Sequence, residues 1–152
     1  MRKILFTICL MMWAGMALAA QDITGFWTTI DDETNEPKSI VHVYDYQGKI
    51  YGRVVHLFKN PDTTAKNVKG SPKILGLDIL WDLQDRGEKF KDGEILDPKK
   101  GKVYTCEVWR DGDNLIVRGK IAFFGRNQTW KPARDFTPTN STAPTPQKPV
   151  MD

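Results

Sequence analysis

From residue 21 to residue 136 the chain repeats one pattern: a short run rich in Val, Ile, Tyr, Phe, Trp and Thr, then a cluster of turn formers. The runs lie at residues 24–31, 39–46, 49–58, 74–83, 93–97, 102–110, 114–121 and 127–133. β-branched and aromatic residues suit a pleated, half-buried surface, and no segment sustains a helical period. Gln47-Gly48, residues 98–101 and residues 111–114 are short enough to be hairpin connections. About eight sequential strands joined this way predict an all-β fold. The expected architecture is a single antiparallel meander closed as a barrel, with a β-sandwich as the alternative.

Two hairpins carry enough pattern to predict register. A two-residue turn at Gln47-Gly48 sets Tyr46 against Lys49, Tyr44 against Tyr51 and His42 against Arg53. One face then holds Val41, Val43, Ile50, Gly52, Val54, His56 and Phe58, and the other holds the tyrosines, His42, Lys49 and Arg53. A turn at Gly112-Asp113 pairs Arg110 with Leu115, Val108 with Val117 and Cys106 with Gly119. Tyr104, Cys106, Val108, Leu115, Val117 and Ile121 share its apolar face. Across the back, Glu107 meets Arg118 and Trp109 meets Ile116, both favourable cross-strand pairs. A slip of one residue would turn every side chain to the wrong face.

The two ends differ from the middle. Arg2 and Lys3 precede an apolar run from residue 4 to residue 18, closed by Ala17-Leu18-Ala19. A positive start, a short apolar stretch and small residues at the cleavage positions predict an export signal over residues 1–19. The run is shorter than the ~20 residues of a spanning helix, so no membrane anchor is expected. Residues 20–136 then form one domain. Residues 137–152 are dominated by Pro, Thr, Ser, Asn and Gln, which predicts a disordered tail.

Export also changes the charge. The chain has 22 basic and 19 acidic residues. Losing Arg2 and Lys3 leaves 20 against 19, a net charge of +1, which gives no reason to expect a nucleic-acid partner. Cys9 departs as well, leaving Cys106 without a disulfide partner. Its apolar strand neighbours predict a buried, unreactive thiol.

Catalytic and metal chemistry find little footing. In the register above, His42 and His56 point to opposite sides of the sheet and Cys106 lies on another hairpin, so no metal site is expected. Asp31-Asp32-Glu33 with Glu36 lacks the glycine and alternation of a calcium loop. No nucleophile elbow, phosphate-cradling loop or zincin motif is present. The sequence therefore predicts no catalytic residues and no cofactor.

Gly25-Phe26-Trp27 opens the first strand. A glycine there lets the chain turn closely, and Trp27 can plug a barrel end. The triplet resembles the Gly-x-Trp signature of the lipocalin and calycin group of ligand-binding barrels. That resemblance implies an arginine packed on Trp27, with Arg126 and Arg134 as the candidates. A wider resemblance runs through Gly25-Phe26-Trp27-Thr28-Thr29-Ile30-Asp31-Asp32, Gly48-Lys49-Ile50-Tyr51-Gly52-Arg53-Val54-Val55, Asn60-Pro61-Asp62 and Ile74-Leu75-Gly76-Leu77-Asp78-Ile79-Leu80. It continues through Gly93 to Tyr104 and Leu115-Ile116-Val117-Arg118-Gly119. The set is similar to domain of unknown function 2147, a family of small exported bacterial proteins, and implies a secreted β-barrel without implying an activity. Lys131-Pro132 stands where that family leads one to expect an arginine after Trp130, and Phe90 stands where a Trp is usual.

Function is then expected in one of two forms. A barrel of this size holds one small ligand or fills its interior with side chains. The first form is a periplasmic binding protein for a small, largely apolar or fatty-acid-like molecule. The second is an interaction or structural module of the cell envelope with a filled interior. For binding, the expected site is His56, Phe58 and Lys59 at the end of the 49–58 strand, with Tyr104. The polar segment at residues 59–73 follows them as a lid or as a plain surface excursion.

Overall fold

The computed structural model describes residues 20–139 and 144–152. The export signal expected at residues 1–19 lies outside the described residues. Eight strands follow one another: β1 (Gly25–Ile30), β2 (Pro37–Tyr46), β3 (Lys49–Leu57), β4 (Asp78–Asp85), β5 (Phe90–Asp97), β6 (Lys102–Asp111), β7 (Asn114–Ile121) and β8 (Phe124–Pro132). Each pairs antiparallel with the next, and Trp27 opposite Pro132 with Thr28 opposite Lys131 joins β1 to β8. The sheet is thus a closed barrel with no free edge, and the sandwich alternative falls away.

Both predicted hairpin registers are present. Tyr46 faces Lys49, Tyr44 faces Tyr51 and His42 faces Arg53. Cys106 faces Gly119, Val108 faces Val117 and Glu107 faces Arg118. Several details differ from the sequence reading; β2, for instance, begins at Pro37 rather than residue 39, and β8 at Phe124 rather than residue 127. Strand β4 begins at Asp78 rather than residue 74, because Gly76 turns the chain at φ 91° and its N–H bonds the Val54 carbonyl. Strand β5 begins three residues earlier, at Phe90. The outer part of the predicted β6–β7 apolar face fails, since Ile121 lies at the barrel rim and is 53% exposed.

The most consequential difference is a bulge. Ile40 pairs with His56 but Val41 pairs with Val54, so Val55 is an extra residue in β3. A bulge reverses which side chains face inward beyond it. His56 and Phe58 therefore lie outside the barrel, not on its core face, and Leu57 takes the inward position. The same shift places His56 on the outer surface that carries His42, correcting the expectation that they point to opposite sides.

The core fills one half of the barrel. Trp27, Val41, Val43, Leu80, Leu83 and Val108 are all at most 4% exposed and belong to one cluster. Gly93 permits this density: a Cβ there would stand 2.5 Å from the Trp81 carbonyl oxygen. The connection between β3 and β4 is also part of the core. Ala65, Val68 and Ile74 are buried, and Thr64 bridges to Lys73. The 59–73 segment is thus a pinned excursion with its own apolar anchors.

The Pro/Thr-rich C-terminal segment is ordered where it is described. Its last residues run along the outside of the barrel. The Gln147 N–H donates to Asp78 Oδ2 at 2.7 Å, the Lys69 N–H bonds the Val150 carbonyl, and Met151 bridges to Val68. This cover explains why β2 and β4 bury residues on both faces, including Tyr44 and Asp78. The disordered tail expected from composition is replaced, over residues 144–152, by a strap held through backbone groups and through Lys148, which pairs with Asp82 and Glu94.

Candidate functional site

The strand order sorts the loops into two groups. The Gln47-Gly48 and Gly112-Asp113 turns lie at one end with the start of β1. Residues 31–36, 58–77, 98–101 and 122–123 lie at the other.

The first end is closed. Gly25 enters β1 at φ 133°, a backbone state that side chains rarely adopt, and leads directly to Trp27. Trp27 is 4% exposed, and its indole N–H donates to the Ile23 carbonyl at 2.9 Å. The cation over its ring is Arg110, with its guanidinium carbon 5.1 Å from the ring centre. Neither candidate named from sequence serves: Arg126 pairs with Asp32 at the opposite end, and Arg134 pairs with Asp113. Arg110 is the penultimate residue of β6, which does not pair with β1; its guanidinium reaches the Trp27 ring and the Asp22 carbonyl across the closed end of the barrel.

The second end opens into a cavity of about 590 Å³. Its inner wall is apolar, with Val54, Ile79, Leu96, Val117 and Trp130. A few polar groups are fixed in it. Thr29 Oγ1 and Ser39 Oγ lie 2.6 Å apart and satisfy one another while buried. Trp130, 1% exposed, donates its indole N–H to Gln128 Oε1 at 3.3 Å. Gly119, opposite Cys106, opens space beside Tyr104, because it carries no side chain on the lumenal wall.

Charges stand at the rim. Asp31 accepts the backbone N–H groups of Thr34 and Glu33, which hold its carboxyl below the usual carboxylate range and shape the β1–β2 loop. Lys59 pairs with Glu36 at 2.7 Å, which raises its pKa, and Arg126 pairs with Asp32 at 3.1 Å. Lys99 and Lys100 also line the rim; among the described residues neither enters an ion pair. Their backbone N–H groups both bond Asp97 Oδ1, fixing the turn that presents them.

Of the four ligand-binding residues expected from sequence, two reach this cavity. Lys59 stands at its rim and Tyr104 lines its wall. His56 and Phe58 do not line it. They meet each other outside, ring centres 4.9 Å apart, beside Phe136. Sequence reading missed Gln128 and Trp130, although extending the β6–β7 register to β8 would have placed both on the inner face, opposite Val117 and Leu115.

Cys106 is apart from the cavity. It is 2% exposed, and burial pushes its thiol well above the ordinary value. The folded protein should therefore resist thiol reagents and react only as it unfolds. Rapid labelling without denaturant would show that this part of the core opens. Among the described residues no group of three His, Cys, Asp or Glu side chains is placed to hold a metal ion.

The fold is similar to that of a solved protein of the human pathogen Helicobacter pylori, HP1028, described as belonging to the lipocalin family. The two share 22% identity with a TM-score of 0.65, over 75% of this chain and 84% of that one. No curated protein matches the chain. Residues 25–132, from the glycine before Trp27 to the end of β8, match the family described as an uncharacterized protein conserved in bacteria. The chain belongs to that family, domain of unknown function 2147.

Proposed function

We propose that this chain is an exported, non-enzymatic binding barrel whose lumen holds one small, largely apolar molecule with an anionic head, of the fatty-acid kind. The observation that carries the reading is the cavity of about 590 Å³ at the loop-rich end of an otherwise filled barrel. Its volume falls within the ~300–1,000 Å³ of small-molecule sites, and an apolar inner wall beneath a charged rim suits a molecule with an apolar body and a polar head. Lys99 and Lys100 at the rim support the anionic head. The pattern of residues 1–19 supports a periplasmic location.

Native mass spectrometry of the protein purified from its own periplasm tests this reading. The expected spectrum contains a species heavier by one small molecule, which collisional activation releases. A spectrum of the bare chain alone, together with no uptake of added fatty acid, would overturn it.

A further inference from the structure

The β7–β8 hairpin ends in a feature that neither the core nor the cavity uses. Phe123 is 100% exposed, Phe124 is 84% exposed and Ile121 is 53% exposed. Ala122 turns the chain at φ 52°, and the three side chains project at the mouth end of the barrel. Large apolar side chains gathered at a convex tip require a partner that yields to them.

The charges around the tip identify that partner. From Leu115 to Trp130 the hairpin contains no acidic residue and carries Arg118, Lys120 and Arg126. The neighbouring β5–β6 turn adds Lys99, Lys100 and Lys102. Lys120 and Glu107 at 2.7 Å, and Arg126 and Asp32, neutralise one another and Asp97 accepts from its own turn, so the cations outside these pairs are Arg118, Lys99, Lys100 and Lys102. Of the remaining acids of the mouth, Asp31, Glu33 and Glu36 belong to the β1–β2 loop on the other flank of the hairpin, and Asp62 lies in the β3–β4 connection, paired with Lys73.

We infer that the β7–β8 tip is a membrane-docking element: Phe123 and Phe124 enter the interfacial layer of an anionic lipid bilayer while the lysines of the β5–β6 turn meet its headgroups. Aromatic side chains flanked by cations bind such a surface by adding apolar burial to electrostatic attraction. The acidic β1–β2 loop tilts the barrel, so that contact is made through the β5–β6 and β7–β8 side. The docked mouth then faces the lipid. The aromatic contact does not depend on what the lumen holds, since neither Phe123 nor Phe124 lines the cavity, whereas Lys99 and Lys100 stand at the rim and serve both readings, so the Phe123→Ser/Phe124→Ser variant is the one that separates them.

Vesicle sedimentation of the full exported chain tests the proposal. Vesicles of phosphatidylcholine alone are compared with an equimolar mixture of phosphatidylcholine and phosphatidylglycerol. The wild type should bind the anionic vesicles at low salt and release as salt rises. Phe123→Ser/Phe124→Ser should weaken binding by roughly tenfold or more. Lys99→Glu/Lys100→Glu should abolish the preference for anionic lipid. Both changes lie at exposed positions, and unchanged urea midpoints would verify folding. Absence of wild-type binding to either vesicle, or equal binding by the Phe123→Ser/Phe124→Ser variant, would overturn the proposal. So would sedimentation velocity showing a wild-type dimer that this variant loses, because the tip would then join two copies of the chain.

Discussion

Truncating Trp27 to alanine should lower the stability of the barrel by about 3–5 kcal/mol, read as a large fall in the urea midpoint. The ring is 4% exposed and sits at the closed end of the barrel. Its loss also orphans the Ile23 carbonyl, which accepts the indole N–H, and removes the surface beneath the Arg110 guanidinium. Trp27→Phe should cost less, because it retains most of the ring while losing that hydrogen bond. An unchanged midpoint for Trp27→Ala would mean that the closed end is held by other residues.

The second large effect is expected at Asp78. Its side chain is fully buried, and each oxygen accepts two hydrogen bonds. Oδ1 receives Tyr44 Oη and Arg53 Nε, both at 3.0 Å; Oδ2 receives Arg53 Nη2 at 2.8 Å and the Gln147 N–H at 2.7 Å. Asp78→Ala leaves a partly buried guanidinium, a buried hydroxyl and a backbone N–H without their acceptor. Removing one partner of a buried ion pair costs about 3–5 kcal/mol. The strap should loosen as well, because Arg53 Nη2 also holds the Thr145 carbonyl. Hydrogen exchange at Gln147 would report that release. An Asp78→Ala protein with native stability and a protected Gln147 amide would show that the apolar contacts of Met151 suffice.

These two sites mark what was legible in the sequence. Trp27 was: a glycine followed by a large ring at the start of the first strand leaves few places for the ring except a barrel end. Its partner Arg110 was not, because strands β1 and β6 are distant in sequence and their end residues meet only through closure. Two hairpin registers were readable because short turns fix the pairing, and in the second Glu107 opposite Arg118 agrees with it. The bulge in β3 was hidden inside Arg53-Val54-Val55-His56-Leu57-Phe58, where Val54 and Val55 are equally apolar and alternation carries no phase. That one residue decided which of His56, Leu57 and Phe58 face the lumen. The C-terminal strap left almost no hydrophobic signal. Asp78 and Arg53 hold it chiefly through backbone groups, which any residue supplies, with Met151 as its apolar anchor.

The half-filled barrel puts the cavity at the centre of the account, and Gly119 offers a way to close it. This glycine lies on the lumenal wall, and a Cβ there would meet Tyr104 and Ile95 only at ordinary contact distances of 3.5–3.8 Å. The remaining carbons of a leucine would extend into the cavity. The decisive measurement is titration of a fluorescent fatty-acid analogue into wild type, His56→Ala, Phe58→Ala and Gly119→Leu, with urea midpoints measured in parallel. Wild type should bind saturably one to one, the two outer-surface variants should bind unchanged, and Gly119→Leu should lose binding without losing stability. Equal binding by Gly119→Leu, or none by wild type, would contradict the proposed lumenal binding.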